Sequence, residues 1–191
     1  MKNFTKILIV ALFFSFANTS YAQFGSKWTF QGGAGVVLPQ GEDMSFFKAG
    51  PSIDLGTQYN FSRKFSVATL LKIATLQDNV GFDLKYRNIG ISVVPKWRFL
   101  VDKKVNPFVF AGLSFNQMLL KFGGGDGFGA EESVEWKGGA SFGFGADYGI
   151  SDTFALFAQW GYNTIFYEDV ALNTTYWQAG VNISIGKASS L

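Results

Sequence analysis

The chain is 191 residues long, holds 16 Lys and Arg against 14 Asp and Glu, and contains no His and no Cys. Without those two residue types there can be no Ser–His triad, cysteine nucleophile, disulfide framework, or imidazole or thiolate metal site. Lys2 and Lys6 fall within the first 22 residues, the rest balances at 14 charges of each sign, and no basic stripe remains to suit a nucleic-acid partner.

In chain order, residues 1–22 read as a signal peptide. Lys2 and Lys6 form its positive start, residues 7–17 a largely apolar run too short to span a bilayer, and Ser20-Tyr21-Ala22 a small-x-small cleavage site before Gln23. Export is expected, with cleavage near Ala22/Gln23 and one domain over residues 23–191. That domain has no run of 18 apolar residues, so no membrane-crossing helix is expected.

Eight strands are predicted, over residues 27–38, 47–61, 65–77, 83–100, 106–122, 134–149, 154–166 and 174–187. Residues 141–156, S-F-G-F-G-A-D-Y-G-I-S-D-T-F-A-L, alternate bulky with small positions on two arms around a tight turn at 151–153. Residues 52–67 repeat this hairpin at a constant offset of 89. Short connections at 62–64, 101–105 and 151–153 alternate with mostly longer ones at 39–46, 78–82, 123–133 and 167–173.

One face of these strands carries Phe, Ile, Leu and Trp; the other is mostly Gly, Ser, Asn and Gln with isolated charges. Water does not tolerate so large an apolar surface, whereas lipid does, provided the sheet closes and leaves no unpaired backbone. The predicted fold is therefore all-β: an eight-stranded antiparallel up-and-down transmembrane β-barrel behind a signal peptide. Trp28 and Trp97 are expected near the turn end and Trp136 and Trp177 near the loop end, as aromatic girdles.

With the small-residue phase inside, the lumen receives Asp54, Lys72, Lys96, Arg98 and Asp147, along with Lys27 and several Gln and Asn. A turn symmetric about Arg63 sets Asp54 opposite Lys72 as a cross-strand ion pair, and Arg98 and Asp147 share the turn end. These charges could form a solute or proton path, or a neutralised plug. The plug is favoured because eight strands enclose little more than their own side chains.

The four longer loops carry Glu42, Asp43, Asp78, Asp126, Glu131, Glu132, Glu168 and Asp169 and no Lys or Arg. Solvation is the simple account of that charge; Asp126, Glu131 and Glu132 are weak candidates for a divalent cation shared with anionic headgroups. No catalytic constellation and no cofactor motif is found, and Gly123-Gly124-Gly125 lacks the G-K-[ST] and helix of a phosphate loop.

The last strand reads Q-A-G-V-N-I-S-I over residues 178–185. It resembles the assembly signal of outer-membrane barrels, with Gln178, Gly180, Ile183 and Ile185 in the signal's positions, although the chain continues to Leu191 instead of stopping at an aromatic. With the hairpin repeat and strand count, residues 23–191 resemble the small outer-membrane β-barrel domain family that includes PorT-like proteins, similar in architecture to OmpX and the OmpA barrel. The resemblance implies an outer-membrane location, contact with lipid and lipopolysaccharide, and handling by the barrel assembly machinery. It also implies a non-enzymatic envelope-structural, adhesion or partner-binding role, with an envelope or surface protein as a candidate partner; the alternative is a narrow porin-like channel for small solutes.

Overall fold

The computed structural model describes residues 26–79, 85–121, 132–167 and 170–185. The leader and Asp126, Glu131, Glu168 and Asp169 lie outside the described residues.

Strands β1 (Trp28–Gln40), β2 (Phe47–Lys48), β3 (Gly50–Asn60), β4 (Phe65–Asp78), β5 (Lys85–Arg98), β6 (Val105–Lys121), β7 (Glu132–Gly149), β8 (Phe154–Tyr167) and β9 (Val170–Ile185) make up the sheet. A single 3-10 turn, Glu42–Met44, follows β1. β2 and β3 are one barrel strand interrupted at Ala49, which gives eight staves. Each stave pairs antiparallel with its neighbours in sequence, and β1 closes the ring on β9.

The register fixes the shape. Going once around from Phe30, the partners are Thr57, Thr69, Val93, Leu113, Ala140, Thr164 and Asn173. Asn173 then meets Gln40, ten residues along β1 from the start. With a rise of about 3.3 Å per residue and about 4.8 Å between strands, that stagger tilts the staves by about 40°. The barrel radius is then about 8 Å, filled by side chains from both sides.

The two faces separate residue by residue. On β7, Ser141 and Asp147 are buried while Phe142 and Phe144 stand 54% and 55% exposed. On β8, Gln159 is buried and Leu156 exposed. The repeated hairpin has one turn design in both copies: Ser62 Oγ accepts from the Phe65 amide at 3.0 Å, and Ser151 Oγ from the Phe154 amide at 3.1 Å. In each, the two residues Phe61–Ser62 or Ile150–Ser151 donate their amides to the carbonyl of that Phe.

Outside, Trp28, Tyr59, Phe61, Phe65 and Trp97 form a continuous aromatic belt near the turn end, with successive ring centroids 4.9 to 6.1 Å apart. Phe115 stacks on Trp136 at 5.1 Å toward the loop end. Trp177, expected at the loop-end girdle, instead lies mid-strand, register-opposed to Trp160.

Two loop expectations need correcting. The predicted loop at 167–173 is mostly strand, because β9 begins at Val170 and Tyr167 pairs directly with it. β7 likewise begins at Glu132, in register with Lys121, so Glu132 belongs to the ladder and not to the tip. Both hairpins gain backbone hydrogen bonds by extending their ladders to these residues.

Candidate functional site: the lumen and its two halves

Near the turn end the lumen is polar and tightly bonded. Arg98, from β5, donates through Nε to Asp147 Oδ2 on β7 at 3.1 Å, with both side chains fully buried. Asn182 Nδ2 on β9 donates to the other carboxylate oxygen at 2.8 Å, and Arg98 Nη1 reaches Ser66 Oγ on β4 at 3.3 Å. One ionic node thus ties four staves across the bore. Below it, Asn60 donates to the Ser26 carbonyl at 2.8 Å and to Thr29 Oγ1 at 3.0 Å, and accepts from Gln58 at 2.7 Å.

The other predicted charges climb the bore above this node. Asp54 and Lys72 are register partners. The expected ion pair does not form, because the Lys72 ammonium lies over the Tyr176 ring, 3.2 Å from its centroid, while Asp54 Oδ2 accepts from Gln31 at 3.3 Å. A lysine has enough stem to leave its register partner for a ring face, where a cation is favourably held. Lys96 sits 4.2 Å from the centroid of Phe108. Lys27, also expected inside, is exposed at the lip.

Lumen aromatics were the functional-phase residues missed in the sequence. Phe108, Phe110, Phe157 and Tyr176 all point inward, and each lies over the glycine directly opposite it: Gly145, Gly143, Gly180 and Gly161. A Cβ at Gly180 would stand 2.6 Å from the Phe157 ring and collide with the Gly32 carbonyl. The small phase of one strand is therefore the seat for a ring from the next. The parity of β6 carried the signal, since Phe108 and Phe110 share phase with Asn106 and Asn116.

This geometry locates the assembly-signal residues. Gln178 and Gly180 face the lumen, where Gln159 donates to Gln178 Oε1 at 2.8 Å and Phe157 covers Gly180. Ile183 and Ile185 face outward and are register-opposed to Phe30 and Trp28 at the closing seam.

Toward the loop end the interior turns apolar, so the polar lumen expected from the sequence describes its turn-end half. Val37, Leu70, Leu76, Tyr86, Met118 and Ile165 are buried there, and Met44 of the 3-10 turn packs into the same cluster. A cavity of about 560 Å³ lies among Met44, Phe47, Tyr86, Met118, Leu120 and Leu172. Tyr86 and Leu172 also line a second cavity of about 50 Å³ that descends as far as Lys72 and Lys96; Arg98 and Asp147 are not among its walls.

The described residues hold no cluster of three or more Asp or Glu arranged for a metal ion. Of the candidate cation ligands, only Glu132 has a described backbone, and its register partner is a lysine.

A model of the family described as "Outer membrane protein beta-barrel domain" matches residues 7–184. No curated protein matches the chain in sequence. Among solved structures, Neisserial surface protein A is similar at a TM-score of 0.67 and 21% identity, covering 84% of this chain and 98% of its own. A major outer membrane protein from Thermus thermophilus is similar at TM-score 0.58 and 12% identity, over 83% and 99%. OprG from Pseudomonas aeruginosa is similar at 0.53 and 10%, over 88% and 98%. At these identities the likeness is one of fold.

Proposed function

Because the chain belongs to the outer membrane protein β-barrel domain family and resides in the outer membrane, we propose that it is a non-conducting, non-enzymatic barrel whose work is done at its loop end, by contact with envelope lipid or a surface partner. Removal of residues 1–22 on export and insertion by the barrel assembly machinery through the 178–185 strand are part of this reading.

The observation that carries it is the buried Arg98–Asp147–Asn182 node. A solute entering the loop-end cavity descends past apolar walls to Lys72 and Lys96, then meets a bore crossed by charge-assisted bonds between staves. Opening that path requires separating two fully buried charges, which is strongly unfavourable without a replacement partner. This node supports the plug reading of the lumen charges over the narrow channel.

The non-enzymatic part rests on chemistry. No His or Cys exists to act as base or nucleophile. The buried carboxylates are instead engaged by Arg98, Asn182 and Gln31.

Planar-bilayer recording of the purified full chain tests the proposal. No steady single-channel current is expected. Reproducible open-channel steps that disappear on blocking the bore from the loop side would replace this reading with the channel.

A further inference from the structure

On the outer wall, strand phase and register bring cations together toward the loop end. Lys48 is the register partner of Gln77, Gln77 of Lys85, and Lys85 of Lys121; with the staves tilted by about 40° this row climbs about 3 Å per stave, which puts Lys85 about 6 Å above Lys48 and Arg87 about level with it. Arg87 lies two residues along β5 from Lys85, on the same outward phase. Lys48, Lys85 and Arg87 are exposed. Lys121 shares the rim and is also register-opposed to Glu132.

The height of this row follows from the barrel geometry. Outward residues of β5 read Trp97, Pro95, Val93, Ile91, Ile89, and then Arg87 and Lys85, an apolar band bounded by an aromatic at one end and cations at the other. Ten residues separate Trp97 from Arg87. At about 3.3 Å per residue and about 40° of tilt they span about 25 Å, the height of the lipid-facing band of an outer-membrane barrel. With Trp97 at the periplasmic interface, Arg87, Lys85 and Lys48 stand in the headgroup layer of the outer leaflet.

We propose that Lys48, Lys85 and Arg87 form a binding surface for the phosphate groups of an outer-leaflet lipid, with the acyl chains lying along Ile89, Ile91 and Val93. The inference deepens the proposed function by naming the lipid-contacting wall, and it rests on the orientation used there. An Arg recognises phosphate through a planar fork of donors, and two flanking lysines add point charges. Cations outside an apolar band would be equally satisfied by water. Three of them on two staves separated only by β4, with no acidic side chain on the outward phase of β4 or β5, concentrate positive potential on one sector.

The test is retention of diphosphoryl lipid A by the full chain in detergent, counted per barrel by native mass spectrometry. Three proteins are compared: the parent, Lys48→Gln/Lys85→Gln/Arg87→Gln, and a turn-end control, Arg63→Gln/Lys64→Gln/Lys103→Gln. Each cation near a charged membrane surface contributes enough that the rim variant should bind about ten- to a hundredfold more weakly, with the control unchanged. Monophosphoryl lipid A should be retained less well than the diphosphoryl form, and inorganic phosphate at matched ionic strength should not displace it. Equal losses in both triple variants, or none in the rim variant, would overturn the proposal; displacement by inorganic phosphate alone would overturn the lipid as its ligand. Conductance is read separately, so a failure here leaves the closed-bore reading intact.

Discussion

Replacing Asp147 with Ala strands the Arg98 guanidinium in a bore where both side chains are fully buried. Breaking one side of a buried pair costs about 3–5 kcal/mol. Asn182 also loses its 2.8 Å acceptor, which adds about 1 kcal/mol. The single variant should therefore lose about 4–6 kcal/mol, a large fraction of a domain's stability. The double variant Arg98→Met/Asp147→Leu removes both charges and should lie within about 2 kcal/mol of the parent, since apolar replacement of a buried pair is often neutral. Urea unfolding in lipid vesicles, followed by tryptophan fluorescence, gives both values from the midpoint and slope. If the double variant were as unstable as the single one, or if the single variant lost less than about 1 kcal/mol, the node would not be an interdependent charge pair.

Other expected outcomes address the wall and the seam. Cysteines placed at Phe142, Phe144 and Leu156 should react with a lipid-restricted label, and one at Gln159 should not; the opposite pattern would invert the barrel. Gly180→Ala drives a methyl into the Phe157 ring and the β1 backbone, and should cost about 1–3 kcal/mol by overpacking; a cost below half that value in urea unfolding would mean the seam relaxes freely. Asn60→Ala removes three buried hydrogen bonds and should cost about 2–3 kcal/mol, read in the same assay, with a negligible change counting against the lower network.

What could be read from the sequence was whatever depends on parity. Period-two alternation separates Phe142 and Phe144 from Ser141 and Gly143, and the two Ser-x-x-Phe turns announce one hairpin used twice. The same parity put Arg98 and Asp147 on the inner phase at one end, where they meet. What parity cannot supply is the direction a long side chain takes after Cβ. Asp54 and Lys72 are register partners, yet Lys72 turns to Tyr176, a residue more than a hundred positions away. Composition also misled at 167–173, where most of the residues read as loop belong to β9, whose ladder begins with Val170 opposite Tyr167. The apolar loop-end cavity was hidden for a related reason: its walls come from many staves, one or two residues each.

The ten-residue stagger binds every hairpin to all the others. An open sheet can absorb a one-residue slip at its edge, but a ring must return to its own first strand. A slip between any two staves turns one of them inside out and sets Lys or Asp against acyl chains. The error cannot stop there, because every later stave inherits it until the seam between β1 and β9, where the counts must agree. Only slips of two residues, or opposite slips that cancel, leave a closed object with its faces intact. The alignment of the whole ring is thus tested at the closing seam, where Gly180 lies beneath Phe157 and Ile183 and Ile185 are register-opposed to Phe30 and Trp28.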